Sequence, residues 1–408
     1  MKTKLFANPF YCYVLSFGLA LLIYSWGWSE IYPTLTADVS IFLISSFMIA
    51  LYLGKKISYK IEYKKITGSD ASKSIIMLII LSYIVEFTYN KGIPIFLLFS
   101  GADLAYMDFG IPTFHVILHT FTCFYTVYTF HQYTSTKDNR LLLFVIILLL
   151  PNILIVNRGA LIMTLTACLI VYLFSIGKVL LSRVVVLLIS ACIFFYGFGY
   201  LGNARSFNGD PYAFLRLTKA TDNYTESLIP KEYYWFYIYA SSPFANFQNA
   251  TLTSVKHRYD VGTFITWELL PDFISKRIVP MEADYDGLNR LDYSINPILT
   301  VGSIYFEPYI RLGWYGPILV FLFYVTFVYF YIKTFPRHSK YFTSGLAILC
   351  VISVFNMFEN MINFSGLSFQ MLFPFILSRL ERYRVRFIGF NVNRVRFPLF
   401  AKKIRFKI

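Results

Sequence analysis

Long apolar runs interrupted by short basic clusters set the pattern of this chain. Within the runs every helical face is apolar, so periodicity discriminates little, and elements follow from run length and charged breaks. A helix rises about 1.5 Å per residue against a hydrocarbon core of about 30 Å, so one crossing takes roughly 20 residues. By that measure the sequence predicts ten spans, at 8–28, 38–54, 74–89, 113–131, 141–157, 159–176, 184–201, 314–332, 341–358 and 364–378. The run Leu141–Phe174 shows how a charge sets a boundary. As one helix it would extend roughly 50 Å with Arg158 near its middle. Two antiparallel spans joined by a tight turn at Asn157, Arg158 and Gly159 fit instead. They move the guanidinium to a water interface and avoid a cost of about 3 kcal/mol.

Composition then fixes the class. The chain has 408 residues, of which 57% are hydrophobic, 20% aromatic and only 14% charged, a balance no soluble domain hides in its interior. The expected fold is an all-α polytopic membrane protein with about ten transmembrane helices and one large periplasmic loop carrying interfacial helices. Its start, "MKTKLFANPFYCYVLSFGLALLIYSWGW", has the basic lead and apolar stretch of a signal peptide, but no small-x-small cleavage site follows. Trp26 and Trp28 read as interface anchors, which makes this an uncleaved first span.

With the N-terminus in the cytoplasm, 25 of the 37 Lys and Arg fall inside with only four acids, Glu62, Asp70, Asp138 and Glu381. The inner side then carries +21 and the rest of the chain −6. The bias sits in short loops, where the positive-inside rule applies, so both termini are expected inside and Arg158 outside. The formal net charge of +15 therefore reports topology and does not suggest nucleic acid. The parts are a seven-span half (1–201), a periplasmic loop (202–313), a three-span part (314–378) and a basic cytoplasmic tail (379–408). The tail has a stop-transfer composition that could also lie on anionic lipid. Cys12, Cys123, Cys168, Cys192 and Cys350 all fall in predicted spans, so neither a disulfide framework nor a thiol zinc site is expected.

The loop of about 112 residues is where chemistry would sit, because every other loop is short. Its segment "YYWFYIYASSPFANF", Tyr233–Phe247, is too short for an ordinary span, and its Tyr and Trp rings suit an interfacial or re-entrant helix at headgroup level. The outer side also holds seven arginines against five lysines: Arg158, Arg205, Arg216, Arg258, Arg277, Arg290 and Arg311. Arginine in excess points to planar, bidentate recognition of phosphate or carboxylate. The plainer alternative is ordinary loop charges paired with nearby acids.

Other signals are weaker. His115 and His119 in "HVILH" share a helical face at i, i+4, a spacing that can bind metal, but no acid or thiol companion is evident and no metal is expected. His115 at the outer end could touch substrate, while His119 suits a hydrogen bond inside the bundle. Glu86 lies within the third span near its outer end, as a functional group or as a side chain snorkelling to the interface. Pro151 suggests a kink whose freed carbonyls Asn152 could help satisfy. There is no P-loop, no dinucleotide fingerprint and no cytoplasmic domain for a nucleotide, so no cofactor is expected and the energy must come with the substrate.

Three stretches carry a family resemblance. "GIPIFLLFSGADLAYMDFGIPTFH" (Gly92–His115), with its Gly-Ile-Pro, Tyr106 and Phe-Gly-Ile-Pro before a span, resembles an outer loop of bacterial oligosaccharide repeat-unit polymerases, the O-antigen polymerase family. "VNRGALI" resembles the Arg-Gly of their mid-protein hairpin. "NPILTVGSIYFEPYIRLGWYGPILVF" resembles the approach to the span after their large loop, through Asn296, Thr300, Gly313 and Gly316. One departure is that Arg311 stands where an acid often precedes the aromatic-Gly pair, with Glu307 four residues earlier.

The resemblance implies a metal-independent glycosyltransferase of the bacterial inner membrane. A glycan moves from one undecaprenyl-pyrophosphate to another lipid-linked repeat at the periplasmic face. Its partners would be the undecaprenyl-pyrophosphate-linked oligosaccharide, membrane lipid, and a chain-length regulator and flippase of the same pathway. Negative charge grows on the leaving pyrophosphate, which fixed guanidinium groups would stabilise. The expected substrate-binding residues are Arg158, Arg205, Arg216, Arg290, Arg311, His115 and Tyr106. The attacking hydroxyl calls for a general base, for which Glu307, Asp292 and His257 are the candidates. Two rivals stand beside this reading. An O-antigen ligase passes glycan to lipid A core, and many carry a histidine near the end of the large loop, where "RLDYSINPIL" has none. A lipid-linked oligosaccharide flippase would be expected to show repeated halves, which seven spans before the loop and three after it do not.

Overall fold

The computed structural model describes residues 5–67, 73–100, 109–177, 181–253, 260–278, 290–336 and 338–381. Tyr106, His257, Arg258 and the tail from 382 onward, singled out above, lie outside the described residues. Among the described residues the chain is helical, without a β-strand. In order come α1 (Pro9–Tyr24), α2 (Ala37–Ile57), α3 (Lys73–Tyr89), α4 (Pro94–Phe99), α5 (Phe114–Thr136), α6 (Asn139–Leu154), α7 (Arg158–Ser175) and α8 (Leu181–Ser206). After these come α9 (Ala213–Leu217), α10 (Asp222–Thr225), α11 (Tyr233–Leu252), α12 (Val261–Phe264), α13 (Asp272–Ile278), α14 (Phe306–Leu312), α15 (Tyr315–Thr334), α16 (Phe342–Phe355) and α17 (Ser365–Ser368). A last helix, α18, covers 372–381.

Nine of the runs read as spans fall on a single helix each, while 364–378 is split into α17, a 3-10 turn at Phe369–Met371 and α18. Among the described residues five helical stretches are long and apolar enough to cross a membrane: Ala37–Lys60, Lys73–Leu98, Arg158–Ser175, Ser182–Ser206 and Tyr315–Thr334. Pro9–Tyr24, Asn139–Leu154 and Phe342–Phe355 are apolar but shorter. The surface agrees with a lipid solvent. On α8, Val186, Leu188, Ile189, Ile193 and Phe194 are each more than half exposed, a continuous apolar face that water would not tolerate. The molecule is an all-helical membrane protein.

Local sequence explains where several helices begin. Asn8 accepts from Phe10 N at 3.2 Å and Pro9 takes the first helical position of α1, where its missing N–H costs nothing. Asp138 caps α6 through Arg140 N at 3.0 Å, and Asn157 caps α7 through Ala160 N at 3.0 Å. That last cap shifts the hairpin from its expected place. The turn is Ile155–Asn157, with Val156 at φ 64°, while Arg158 and Gly159 already belong to α7. Asn152 does not serve the kink at Pro151. Its Oδ1 faces Cys123 Sγ at 3.8 Å and its Nδ2 has no partner.

The core lies around α1 and α16, which pack on each other, with α2, α5, α7 and α11 around them. From Phe342 to Ser353 every residue of α16 is buried. Three tyrosines tie the centre together. The Tyr13 hydroxyl lies 2.6 Å from that of Tyr305 and 2.8 Å from Ser46 Oγ, and Tyr324 OH donates to Ser353 Oγ at 2.8 Å.

The Tyr/Trp-rich segment forms α11, and part of its aromatic face is enclosed by protein: Tyr234, Tyr237 and Phe247 are buried where α11 meets α1, α8 and α14. Small residues permit this. Gly199 of α8 sits so close to the Glu232 carbonyl that a Cβ there would overlap it. The packed helix in turn fixes the segment leading into α14. Asn246 donates to the Leu299 and Val301 carbonyls at 2.6 and 2.8 Å and accepts from Ile295 N at 2.9 Å.

Candidate functional site

A run of short elements after α11 builds the most chemically loaded place in the molecule. Asp260 caps α12 by accepting from Gly262 N and Thr263 N at 2.9 and 3.2 Å. The chain then widens into one π-helical turn, Ile265–Leu269, which carries Glu268. Such turns are often found at functional sites. The turn between α16 and α17 is stitched to this segment. Asn360 Nδ2 donates to the Glu268 carbonyl at 2.6 Å, and Asn363 Nδ2 to the carbonyls of Trp267 and Leu270 at 2.7 and 2.6 Å. Asp272 Oδ1 accepts from Ser365 N at 2.8 Å.

Between these pieces and α14 lies a cavity of about 270 Å³. Its ionisable lining is Glu268, Asp272, Glu307 and Glu359 against Lys276 and Arg290. Arg290 Nη1 bridges two of the acids, 3.1 Å from Glu307 Oε1 and 3.0 Å from Glu359 Oε1. Burial works against the Arg290 charge, but Glu307 and Glu359 outweigh it and hold its pKa above the ordinary value. Glu268 is only 2% exposed, and Arg311 Nε donates to its Oε1 at 3.0 Å. Burial, and after it the neighbouring Glu307 charge, raise the Glu268 carboxyl well above the usual carboxylate range, against the pull of Arg311. Trp267 Nε1 and Arg290 Nε, both on lining residues, are buried without a hydrogen-bond partner among the described residues. Each unmet donor costs about 1–3 kcal/mol, which an acceptor on a bound molecule would relieve.

α14 is held in place by two glycines. Gly313 ends it at φ 56°, and Gly316 in the first turn of α15 lies against the Pro308 carbonyl, where a Cβ would overlap. The spacing of these glycines thus follows from the close return of α15 past α14.

A second polar cluster lies close by. Arg277 of α13 donates through Nη2 to Thr113 Oγ1 at 2.8 Å, and Thr113 precedes α5. Two residues on, His115 Nδ1 is 2.9 Å from Oε2 of Glu86, which is fully buried. Glu86 therefore does not snorkel; it faces α5. Its other oxygen, Oε1, has no partner among the described residues. His119 stacks on His115 with ring centroids 5.4 Å apart and takes the bundle role, its Nδ1 3.2 Å from the Tyr83 hydroxyl and its Nε2 3.4 Å from Asn157 Nδ2.

The structure brings Glu307, Arg290 and Arg311 into one neighbourhood, with Glu268 between Glu307 and Arg311. Asp292 shares the Arg290–Tyr293 turn but does not line the cavity. Arg216 is away from it, exposed and paired with Asp210. Arg158 and Arg205 are exposed and make no side-chain ion pair or hydrogen bond among the described residues. Arg158 stands in the first turn of α7, where the helix dipole disfavours a cation.

Sequence reasoning missed Glu268, Asp272 and Glu359. The signal was present: Glu268 and Asp272 are the two acids of "GTFITWELLPDF" and Glu359 is a lone acid in "NMFENMINF". No protein-family model matches the chain, and no curated protein or solved structure matches it either.

Proposed function

We propose that this chain is an oligosaccharide repeat-unit polymerase of the O-antigen type, acting on undecaprenyl-pyrophosphate-linked glycans at the outer face of the bacterial inner membrane. On this reading the ten apolar runs are spans, both termini are cytoplasmic, and 202–313 faces the periplasm. The observation that carries it is the carboxylate-lined cavity, which sets a proton-retaining Glu268 beside Glu307 and adds amides, unmet donors and an indole. Carboxylates and amides are the groups that grip sugar hydroxyls, and a pair of carboxyls serves acid–base chemistry at a glycosidic centre. At about 270 Å³ the space is near the lower end of small-molecule sites, which run from about 300 Å³, and suits a terminal sugar rather than a whole repeat.

In the reaction, Glu307 takes the proton of the acceptor hydroxyl as its oxygen bonds to the anomeric carbon of the donor. The anomeric C–O bond to pyrophosphate breaks, and undecaprenyl-pyrophosphate leaves with the electron pair. Glu268, keeping its proton, donates a hydrogen bond to the bound sugar. Arg158 and Arg205, exposed and without carboxylate partners, are the guanidinium groups left to meet the diphosphate.

Deleting the gene and running surface polysaccharide on a gel tests the reading. Lipid A core carrying a single repeat is the expected result. Core alone, with undecaprenyl-linked polymer retained, would make the chain a ligase. The flippase reading has one observation in its favour, the Glu86–His115 pair inside the helices, since buried ionisable pairs mark ion-coupled transport. Loss of all exported repeat would establish it.

A further inference from the structure

A second cavity, of about 110 Å³, lies between the C-terminal ends of α2 and α15. Lys56 and Lys60 line it from one side and Lys333 from the other, with Tyr59 and Tyr329 between them and Ile57 and Ile332 buried at its floor. We propose that these three lysines bind the phosphate of an anionic phospholipid headgroup.

Position is the first argument. α2 and α15 belong to stretches able to cross a membrane, ending at Lys60 and Thr334, so the cavity sits in the last turns of both, at the depth of lipid phosphates. Charge is the second. No acid lines the cavity, and none of the three amines has a carboxylate in salt-bridge range among the described residues. Two helix C-termini contribute roughly −1 in partial charge, so three ammonium groups leave an excess of about +2. Geometry is the third. Lys60 and Lys333 lie 6.0 and 5.6 Å from the ring centroids of Tyr59 and Tyr329, which keeps both amines beside the rings that flank the cavity. The small volume admits a phosphate and leaves glycerol and acyl chains in the bilayer. Basic pockets between membrane helices bind lipid headgroups in this way. The proposal rests on helix ends and lysines, and is independent of the function proposed above.

The test uses the full chain, purified and stripped of lipid, with phosphatidylglycerol or phosphatidylcholine nanodiscs and inorganic phosphate as probes. Phosphatidylglycerol should raise the melting temperature and survive in native mass spectra, and phosphatidylcholine should do neither. The K56Q/K60Q/K333Q variant should bind phosphatidylglycerol about a hundredfold more weakly, since each lysine near an anionic surface contributes roughly fivefold. A K55Q/K65Q/K73Q variant removes the same charge from the same face but away from the cavity, and should lose clearly less binding than the cavity variant. Equal losses in the two variants would overturn the site. A full shift from inorganic phosphate alone, with no added effect of lipid, would overturn the lipid assignment in favour of a free anion.

Discussion

Arg311 and Glu268 stand 43 residues apart in the chain and meet through a 3.0 Å hydrogen bond from Nε to Oε1, with the carboxyl enclosed by protein. Arg311 is the charge that pulls against burial and Glu307 on the Glu268 carboxyl. Removing the two partners should therefore cost unequal amounts. Arg311→Met leaves the buried carboxyl without its donor, to be met by uptake of a proton, and should destabilise by about 1–3 kcal/mol. Glu268→Gln keeps an amide oxygen for the guanidinium and should cost less. Thermal unfolding of the two variants in detergent at pH 8.5 checks the order, and equal losses would show that the pair is not the anchor of this turn.

The same carboxyl predicts a pH dependence. Its pKa is raised on folding, so the folded state binds the Glu268 proton more tightly than the unfolded chain does. The stabilisation is complete below the ordinary carboxylate range and is lost as pH rises through that range toward the raised value. Glu268→Gln carries no such proton. The wild type should thus lose ground relative to Glu268→Gln between pH 4 and alkaline pH, read as the difference in melting temperature. A difference that widens in favour of the wild type would contradict the assigned direction.

How far the sequence led differs between the helices and the site. The apolar runs located the helices because a stretch too greasy for water has few alternatives, and the charged breaks bounded them within a few residues. At Val156 the boundary moved, since a cap by Asn157 begins α7 before Gly159, the residue that looked like the turn. α11 kept its helical character, but its packing was not legible: Tyr and Trp suit a membrane interface and a protein interior alike, and the close approach of Gly199 to the Glu232 carbonyl comes from a different helix. The site was legible as single residues and not as an assembly. Glu307 and Arg290 stood out, but Glu359 lies 69 residues beyond Arg290, and contacts of that range leave no local pattern. The arginine excess did not reveal that Arg216, Arg290 and Arg311 pair with carboxylates, whereas Arg158 and Arg205 do not.

Gly316 should be intolerant of the smallest change. A Cβ there overlaps the Pro308 carbonyl on α14, so Gly316→Ala must push apart the elements that carry Glu307 and Arg311. Overpacking of this kind costs about 1–3 kcal/mol. The expected outcome is a folded, membrane-inserted protein with a lowered melting temperature and reduced polymer. Gly18→Ala, where a Cβ meets nothing within 4 Å, is the matched control and should be silent.

Glu307→Gln removes the proposed base while retaining a side chain of the same shape beside Arg290. General-base catalysis contributes roughly 10²–10⁴ in rate, so polymer formation in membranes supplied with lipid-linked repeats should fall by that factor. Asp292→Asn, on the neighbouring turn but outside the cavity, should leave the rate within about twofold, an effect under ~0.5 kcal/mol. If Asp292→Asn proves the more damaging, the base has been misassigned.

The contrast between paired and unpaired arginines separates architecture from anion binding. Arg290→Ala leaves Glu307 and Glu359 side by side without the guanidinium between them, and should lower both stability and polymer length. Arg158→Ala removes a cation with no carboxylate partner from a helix N-terminus, where the dipole opposes it by about 0.3–1 kcal/mol. Its melting temperature should stay unchanged or rise slightly. Arg205, exposed in the last turn of α8, lies at the end where the dipole favours a cation. Arg205→Ala should therefore cost at most a few tenths, within the ~0.5 kcal/mol expected of surface changes. If the proposed function holds, both variants should nonetheless abolish long surface glycan and leave single repeats on lipid A core, because the loss would fall on the leaving pyrophosphate and not on the fold. Lysine should rescue each only in part, since a point charge replaces the bidentate fork. Wild-type chain lengths in both alanine variants, at wild-type stability, would mean that these two guanidinium groups meet no phosphate.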